Sequence, residues 1–300
     1  MPARPFPEVD GLAIAHRDVV LADGTRLHVA AAGDGPPLIL VHGWPQHWWA
    51  WRRLLPALAQ EHRVLCPDLR GLGWSDAPPG AYAKEMWAAD LVALLDALDL
   101  DRADIAGHDW GGLAALLAAL AAPDRVRSVA AVSILHPWPR APAPSVRTVV
   151  PLGYQVPLAL PVGGEQLVRR LPVLVRELIR RGSGPGHRWT DDELDAYAEV
   201  LRDPARARAS SAIYRTFLLR ELRPLARGRY RDRRLAVPAL IATGAADPVV
   251  GPGLIAGLDR HAGAGARTEV IAGAGHFVPE EAPAALLALL REHLAAARHG

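Results

Sequence analysis

One cysteine and one lysine are all that the 300 residues contain of either type. Cys66 has no partner for an intramolecular disulfide and lies in the apolar run Val64-Leu65-Cys66, so the chain is expected to be cytoplasmic. Lys84 is the single lysine among 34 Lys plus Arg, so the other basic residues are arginines, interleaved with 32 acids to leave a net charge of +2. A pI near 9 spread this evenly makes no basic stripe, and nucleic acid is not expected as a partner. The densest run, Arg227 to Arg234, reads as a solvated connector. Long apolar runs are also lacking. The tract from Val149 to Gly164 is broken by Pro151, Pro157 and Pro161 and falls short of the ~20 residues that span a bilayer. The first twenty residues hold prolines and acids where a signal peptide needs an unbroken apolar stretch. No membrane contact is expected. Apolar residues, in contrast, make up 50%. A folded chain of this length buries roughly 75% of its surface, enough for a complete core without staples.

Apolar runs bounded by glycine and proline alternate with alanine- and leucine-rich segments of helical period, the pattern of an α/β sheet with crossover helices. Eight strands are expected, near 15–20, 26–31, 37–41, 63–67, 103–106, 127–135, 238–243 and 267–271. Helices are expected near 48–60, 84–98, 110–121, 254–261 and 283–297. Strand signals stop at Pro137, where prolines crowd the chain through Pro144, and resume at Pro238. Between them helices are expected near 165–181, 191–203 and 205–222, the middle one opened by a Thr190/Glu193 capping box. The simplest organisation is a core of residues 1–137 and 227–300 interrupted, after its sixth strand, by a helical insert of residues 138–226. Gly263-Ala264-Gly265 and Gly273-Ala274-Gly275 lack the third glycine and the helix of a dinucleotide loop and read as turns.

The most specific signal is Gly107-His108-Asp109-Trp110-Gly111-Gly112, directly after a strand and directly before a helix. It has the form of a nucleophile elbow with aspartate where serine usually stands. Small residues are needed at 107 and 111 because the central residue occupies a strained strand-to-helix turn. The helix N-terminus favours an ionised carboxylate, which is what a nucleophile must be. A carboxylate adding to an ester carbonyl would give a mixed anhydride, so an sp³ carbon bearing a leaving group is the better target. Attack there gives an alkyl ester of Asp109 that water must hydrolyse.

That second half needs a base and an oxyanion hole. His276, in a glycine-rich turn after the last strand, is the candidate base, and Asp247, after the seventh strand, its orienting acid. No Asp or Glu lies between Asp124 and Glu165, which leaves no acid after the sixth strand. The order Asp109, Asp247, His276 is that of nucleophile, acid and histidine in α/β-hydrolases. Oxyanion donors are expected from the backbone amides of Trp110 and of Trp44, in His42-Gly43-Trp44-Pro45. Trp44-Pro45 is a candidate cis peptide. His42 is read as a buried hydrogen-bonding residue. Trp48, Trp49 and Trp51 are read as core, with Trp48 or Trp49 at the pocket rim as the alternative.

His42 to Pro45, Gly107 to Gly112 and Gly71-Leu72-Gly73-Trp74-Ser75-Asp76 together resemble the epoxide hydrolases of the α/β-hydrolase superfamily and their neighbours, the haloalkane dehalogenases. The resemblance covers nearly the whole chain. It implies an α/β-hydrolase fold, an eight-stranded, mostly parallel sheet with the insert as a cap over the site. It implies conversion of a small hydrophobic epoxide and water to a vicinal diol, without metal or other cofactor, by a monomer or homodimer. Tyr214 resembles the second of two cap tyrosines that hydrogen-bond the epoxide oxygen, and Tyr154, in a more proline-rich setting than the family's, the first. A phenol with an ordinary pKa near about 10 can donate to oxygen as alkoxide character grows. Trp44, Trp110, Gln155 and Phe277 are then the expected substrate contacts. The dehalogenase alternative uses the same three residues with two N–H donors to halide, the Trp110 indole and that of Trp44 or Trp138.

Overall fold

A computed structural model describes residues 6–9, 11–138, 153–263 and 265–299. Eight strands form one sheet in the order β1-β2-β4-β3-β5-β6-β7-β8: β1 (Ala15–Val20), β2 (Arg26–Ala32), β3 (Pro37–Val41), β4 (Arg63–Pro67), β5 (Ala103–His108), β6 (Val126–Val132), β7 (Ala239–Gly244) and β8 (Ala266–Ile271). The β1–β2 and β2–β4 pairs are antiparallel and the others parallel. Residues of β3, β5, β6 and β7 are nearly all buried, as strands covered by helices on both faces must be. One apolar cluster packs α1 (Lys84–Ala97) and α2 (Trp110–Ala121) on the first face, and a second packs Trp48, Trp51 and α8 (Pro283–His299) on the other. This is the α/β-hydrolase fold.

Among the described residues the chain between β6 and β7 holds no strand and is mainly helical: α3 (Gln155–Ala159), α4 (Gly163–Arg170), α5 (Pro172–Gly182), α6 (Asp191–Ala198) and α7 (Pro204–Thr216). The Thr190/Glu193 capping box forms, with the Thr190 hydroxyl accepting from the Glu193 amide at 3.2 Å and the Glu193 carboxylate accepting from the Thr190 amide at 3.0 Å. Most of the proline-rich run after Pro137, and Val149 to Leu152 of the apolar tract, lie outside the described residues, as does Ala264. No helix among the described residues is long and apolar enough to cross a membrane.

Four expected helices are broken, each for a local reason. The 165–181 helix divides at Leu171, whose φ of −121° and ψ of 68° follow from the bulk of Pro172 against the preceding residue. The 48–60 helix becomes a tight turn, Trp48–Trp51, and a short helix, Leu55–Leu58, restarted with Pro56 in its first turn where no amide is needed. The 254–261 helix is absent: Gly257 at φ 93° separates two short turns, Pro252–Leu254 and Leu258–Arg260. The 205–222 helix relaxes into a π turn over Phe217–Glu221. That turn brings the Glu221 carboxylate to the start of α1, where it accepts from the Lys84 amide at 2.7 Å and the Lys84 ammonium at 2.9 Å. The only lysine of the chain thus pins the insert to the core from a buried position, with its ammonium 4.3 Å from the centre of the Trp110 ring.

Candidate active site

The carboxyl ends of β3, β5, β7 and β8 lie along one edge of the sheet, the place where open α/β sheets bind ligands. Asp109 follows β5 with φ 50° and ψ −130°, a conformation that side chains rarely hold and that the surrounding fold must impose. Its neighbours show how. A Cβ on Gly107 would stand 2.3 Å from the Gly111 carbonyl oxygen, and one on Gly111 would stand 2.3 Å from that of His42. The small residues let three backbones meet beneath the elbow. Asp109 precedes α2 yet makes no side-chain cap to it.

Its two oxygens have different surroundings. Oδ2 accepts from the Trp44 amide at 3.0 Å, whereas Oδ1 faces the His276 Nε2 at 3.8 Å. Burial pushes the Asp109 pKa up to about 6, against the pull of His276 and of the Trp110 and Trp44 amides. His276 Nδ1 donates to Asp247 Oδ2 at 3.0 Å. Burial disfavours the imidazolium, but Asp247 and Asp109 outweigh it and raise the His276 pKa to about 9. Asp247 is itself buried and yet held below the ordinary carboxylate range by His276 and by the Val249 and Val250 amides, which donate to Oδ1 at 2.7 and 2.9 Å. The expected nucleophile, base and acid are therefore contiguous.

Above them, the Tyr154 and Tyr214 hydroxyls lie 3.4 Å apart. Tyr214 comes from α7 and Tyr154 from the N-terminus of α3. Burial, with Asp109 close by, raises the Tyr154 pKa to about 12 and lifts that of Tyr214 well above its ordinary value, so both remain protonated donors at neutral pH. The Trp44 ring stacks on Tyr154 and meets Tyr214 edge-on, and Trp110 also meets Tyr214. Phe277 packs edge-on against His276 at 5.2 Å. Gln155 is buried beside Tyr154.

The remaining tryptophans correct two expectations. The Trp44 indole donates to the Ser210 hydroxyl at 3.0 Å and the Trp138 indole to the Tyr230 carbonyl at 2.5 Å, so both N–H groups offered as the second halide donor beside Trp110 are already used. Trp48 and Trp51 are core, which removes Trp48 from the rim; Trp49 is partly exposed and donates its indole N–H to the Glu8 carbonyl at 2.8 Å. His42 accepts from the Leu69 amide and donates to the Gly43 carbonyl, as a buried structural histidine. Trp44-Pro45 is cis. Ser75, in the third motif, accepts from the His28 amide and donates to the Asp68 carbonyl, and so serves the sheet. Ser210 and Lys84 also reach the site, and no local sequence pattern marks either.

A family model described as the α/β-hydrolase fold matches residues 36–157. The Corynebacterium sp. (strain C12) soluble epoxide hydrolase is 46% identical over 99 residues, 33% of this chain and 34% of its own. The Sus scrofa bifunctional epoxide hydrolase 2 is 43% identical over 135 residues, 44% of this chain and 24% of its own. The matched segments thus span little more than a third of these relatives' lengths at most. The solved structure of the epoxide hydrolase CorEH superposes with a TM-score of 0.83 at 26% identity, over 95% of this chain and 99% of that one. A point variant of a Pseudomonas aeruginosa protein provisionally named an epoxide hydrolase does so with a TM-score of 0.81 at 30% identity, over 98% of this chain and 99% of that one. The chain belongs to the α/β-hydrolase family. Several of the proteins to which it is similar are named epoxide hydrolases.

Proposed function

We propose that this protein hydrolyses a small hydrophobic epoxide to a vicinal diol through a covalent ester on Asp109. One arrangement carries the reading: a carboxylate with one oxygen on the Trp44 amide and the other towards His276, beneath two phenols 3.4 Å apart. Asp109 Oδ1 attacks the less hindered ring carbon, the carbon–oxygen bond breaks, and Tyr214 and Tyr154 donate to the leaving oxygen. Trp44, Trp110 and Phe277 form the apolar surround, and Gln155 adds a polar side chain to it. Residues 138–226 act as the cap over a core of 1–137 and 227–300.

The ester then changes its own environment. Forming it removes the negative charge of Asp109, one of the groups that raise the His276 pKa. In the free site the imidazolium is favoured by a carboxylate on each side; with one of them esterified it loses its proton more readily and turns into a base. Neutral His276 takes a proton from water, the water oxygen adds to the Asp109 carbonyl carbon, and the oxyanion forms on Oδ2 at the Trp44 and Trp110 amides. Collapse breaks the Cγ–Oδ1 bond, the diol leaves with Oδ1 and takes up the proton that His276 had gained, and Asp109 keeps Oδ2 and the water oxygen. No step calls for a metal or organic cofactor, and a monomer or homodimer in the cytoplasm suffices.

A single turnover in ¹⁸O-water with enzyme in excess over styrene oxide tests this. Label is expected in the peptide carrying Asp109, with none in the first diol; label in that diol and none in Asp109 would overturn the reading. Because two phenols share the developing alkoxide, Tyr214→Phe and Tyr154→Phe are each expected to slow ester formation, and the double variant by about 10² to 10⁴. Rapid quench should show hydrolysis of the ester, once formed, much less affected.

A further inference from the structure

Glu281 ends a short helix, Val278–Glu281, that follows the turn carrying His276. Its carboxylate folds back onto that turn. Oε1 accepts from the Phe277 amide at 2.8 Å, and Oε2 accepts from the Gly275 amide at 2.8 Å and the Gly184 amide at 2.6 Å. The amides on either side of His276 are thus held by one side chain, which also holds a backbone amide just beyond α5 in the insert. The His276 amide itself donates to the Gly182 carbonyl of the same segment at 2.8 Å.

The two chain segments approach too closely for any side chain to come between them. A Cβ on Gly184 would stand 2.4 Å from the Gly273 carbonyl oxygen, and one on Gly275 would stand 2.3 Å from the Gly184 nitrogen. Three N–H groups converge on this one carboxylate. We propose that Glu281 is a positioning residue for the hydrolytic half-reaction, fixing the His276 turn against the insert and placing a negative charge beside the base. The proposal rests on His276 acting as base in the two-step reading above.

The role has a part that a purely structural one lacks. His276 is faced by Asp247, Asp109, Glu281 and His108, and Glu281 in turn by His187. Removing the Glu281 charge makes the imidazolium less favourable, so the base becomes neutral at lower pH. Glu281→Gln should therefore move the acid limb of ester hydrolysis to lower pH and slow hydrolysis through the loosened turn by about 10- to 100-fold. Ester formation, which uses Asp109 and the tyrosines, should change by less than about twofold, well inside the span that misplacement alone can produce. Glu281→Asp keeps the charge on a shorter arm, so its limb should remain at the wild-type pH while hydrolysis still slows.

The experiment is rapid quench of full-length wild type, Glu281→Gln, Glu281→Asp and His276→Gln with styrene oxide across pH, following the ester and the diol separately. A Glu281→Gln limb superimposed on wild type, or an equal loss in both half-reactions, overturns the proposal while leaving the two-step reading intact. If Glu281→Gln does not fold, Glu281→Asp decides by the same split, and equal losses in it overturn the proposal. Absence of any ester, even in His276→Gln, overturns the two-step reading and this inference with it.

Discussion

Asp109→Asn is expected to lower epoxide turnover by roughly 10⁴-fold or more, as loss of the nucleophile does in other covalent hydrolases. The change is close to isosteric, and the amide oxygen still has the Trp44 N–H to accept from. The fold and the Tyr154–Tyr214 pair should therefore persist, and intact-protein mass spectrometry after exposure to styrene oxide should find no adduct. Loss of turnover together with an adduct elsewhere would show that Asp109 is not the attacking group. The same carboxylate sets the acid limb of ester formation. Burial raises its pKa to about 6, and only the ionised form attacks, so the rate should fall as pH falls through that value. His276→Gln removes the main neighbour that favours the anion, so in that variant the limb should move to higher pH.

Much of the candidate site is legible in the sequence because its parts follow strands of one sheet. The elbow shows as a glycine spacing around Asp109, and the 2.3 Å approaches of a Cβ on Gly107 to the Gly111 carbonyl and of one on Gly111 to the His42 carbonyl are the cause of that spacing. Asp247 and His276 each follow a strand of the sheet, so strand order alone brings them to one edge. Tyr214 and Tyr154 meet only through the packing of α7 on α3, which leaves no trace in spacing; the family resemblance supplies them. Hidden entirely are contacts between distant segments, such as the Trp44 indole on Ser210, 166 residues away, or Lys84 on Glu221, 137 residues away. The broken helices have the opposite origin. Pro172 and Gly257 stand in plain view, but the helical apolar periodicity masks the effect of a proline ring on the residue before it and of a backbone that needs positive φ.

The contact that separates the two half-reactions is the one between His276 and Asp109, and His276→Gln is the variant that exposes it. Glutamine cannot take a proton from water, but it leaves the Asp109 carboxylate on the Trp44 amide and the two tyrosines above it. Ester formation should survive, at neutral or higher pH, while hydrolysis falls by roughly 10² to 10⁴. The slow step then becomes the second, and enzyme mixed with excess styrene oxide should consume about one equivalent of epoxide and release almost no diol before stalling as the ester, the accumulation expected of a trapped covalent intermediate. Mass spectrometry should find the added mass on the peptide that carries Asp109. Asp247→Asn acts on the same step by a different route. It removes the charge that supports the imidazolium and leaves one oxygen where Asp247 uses two, Oδ2 for His276 Nδ1 and Oδ1 for the Val249 and Val250 amides. It should slow hydrolysis less than His276→Gln and leave ester formation nearly intact. If His276→Gln instead loses both half-reactions together and carries no adduct, water is attacking the epoxide directly with His276 as its base, and Asp109 serves only to hold that histidine.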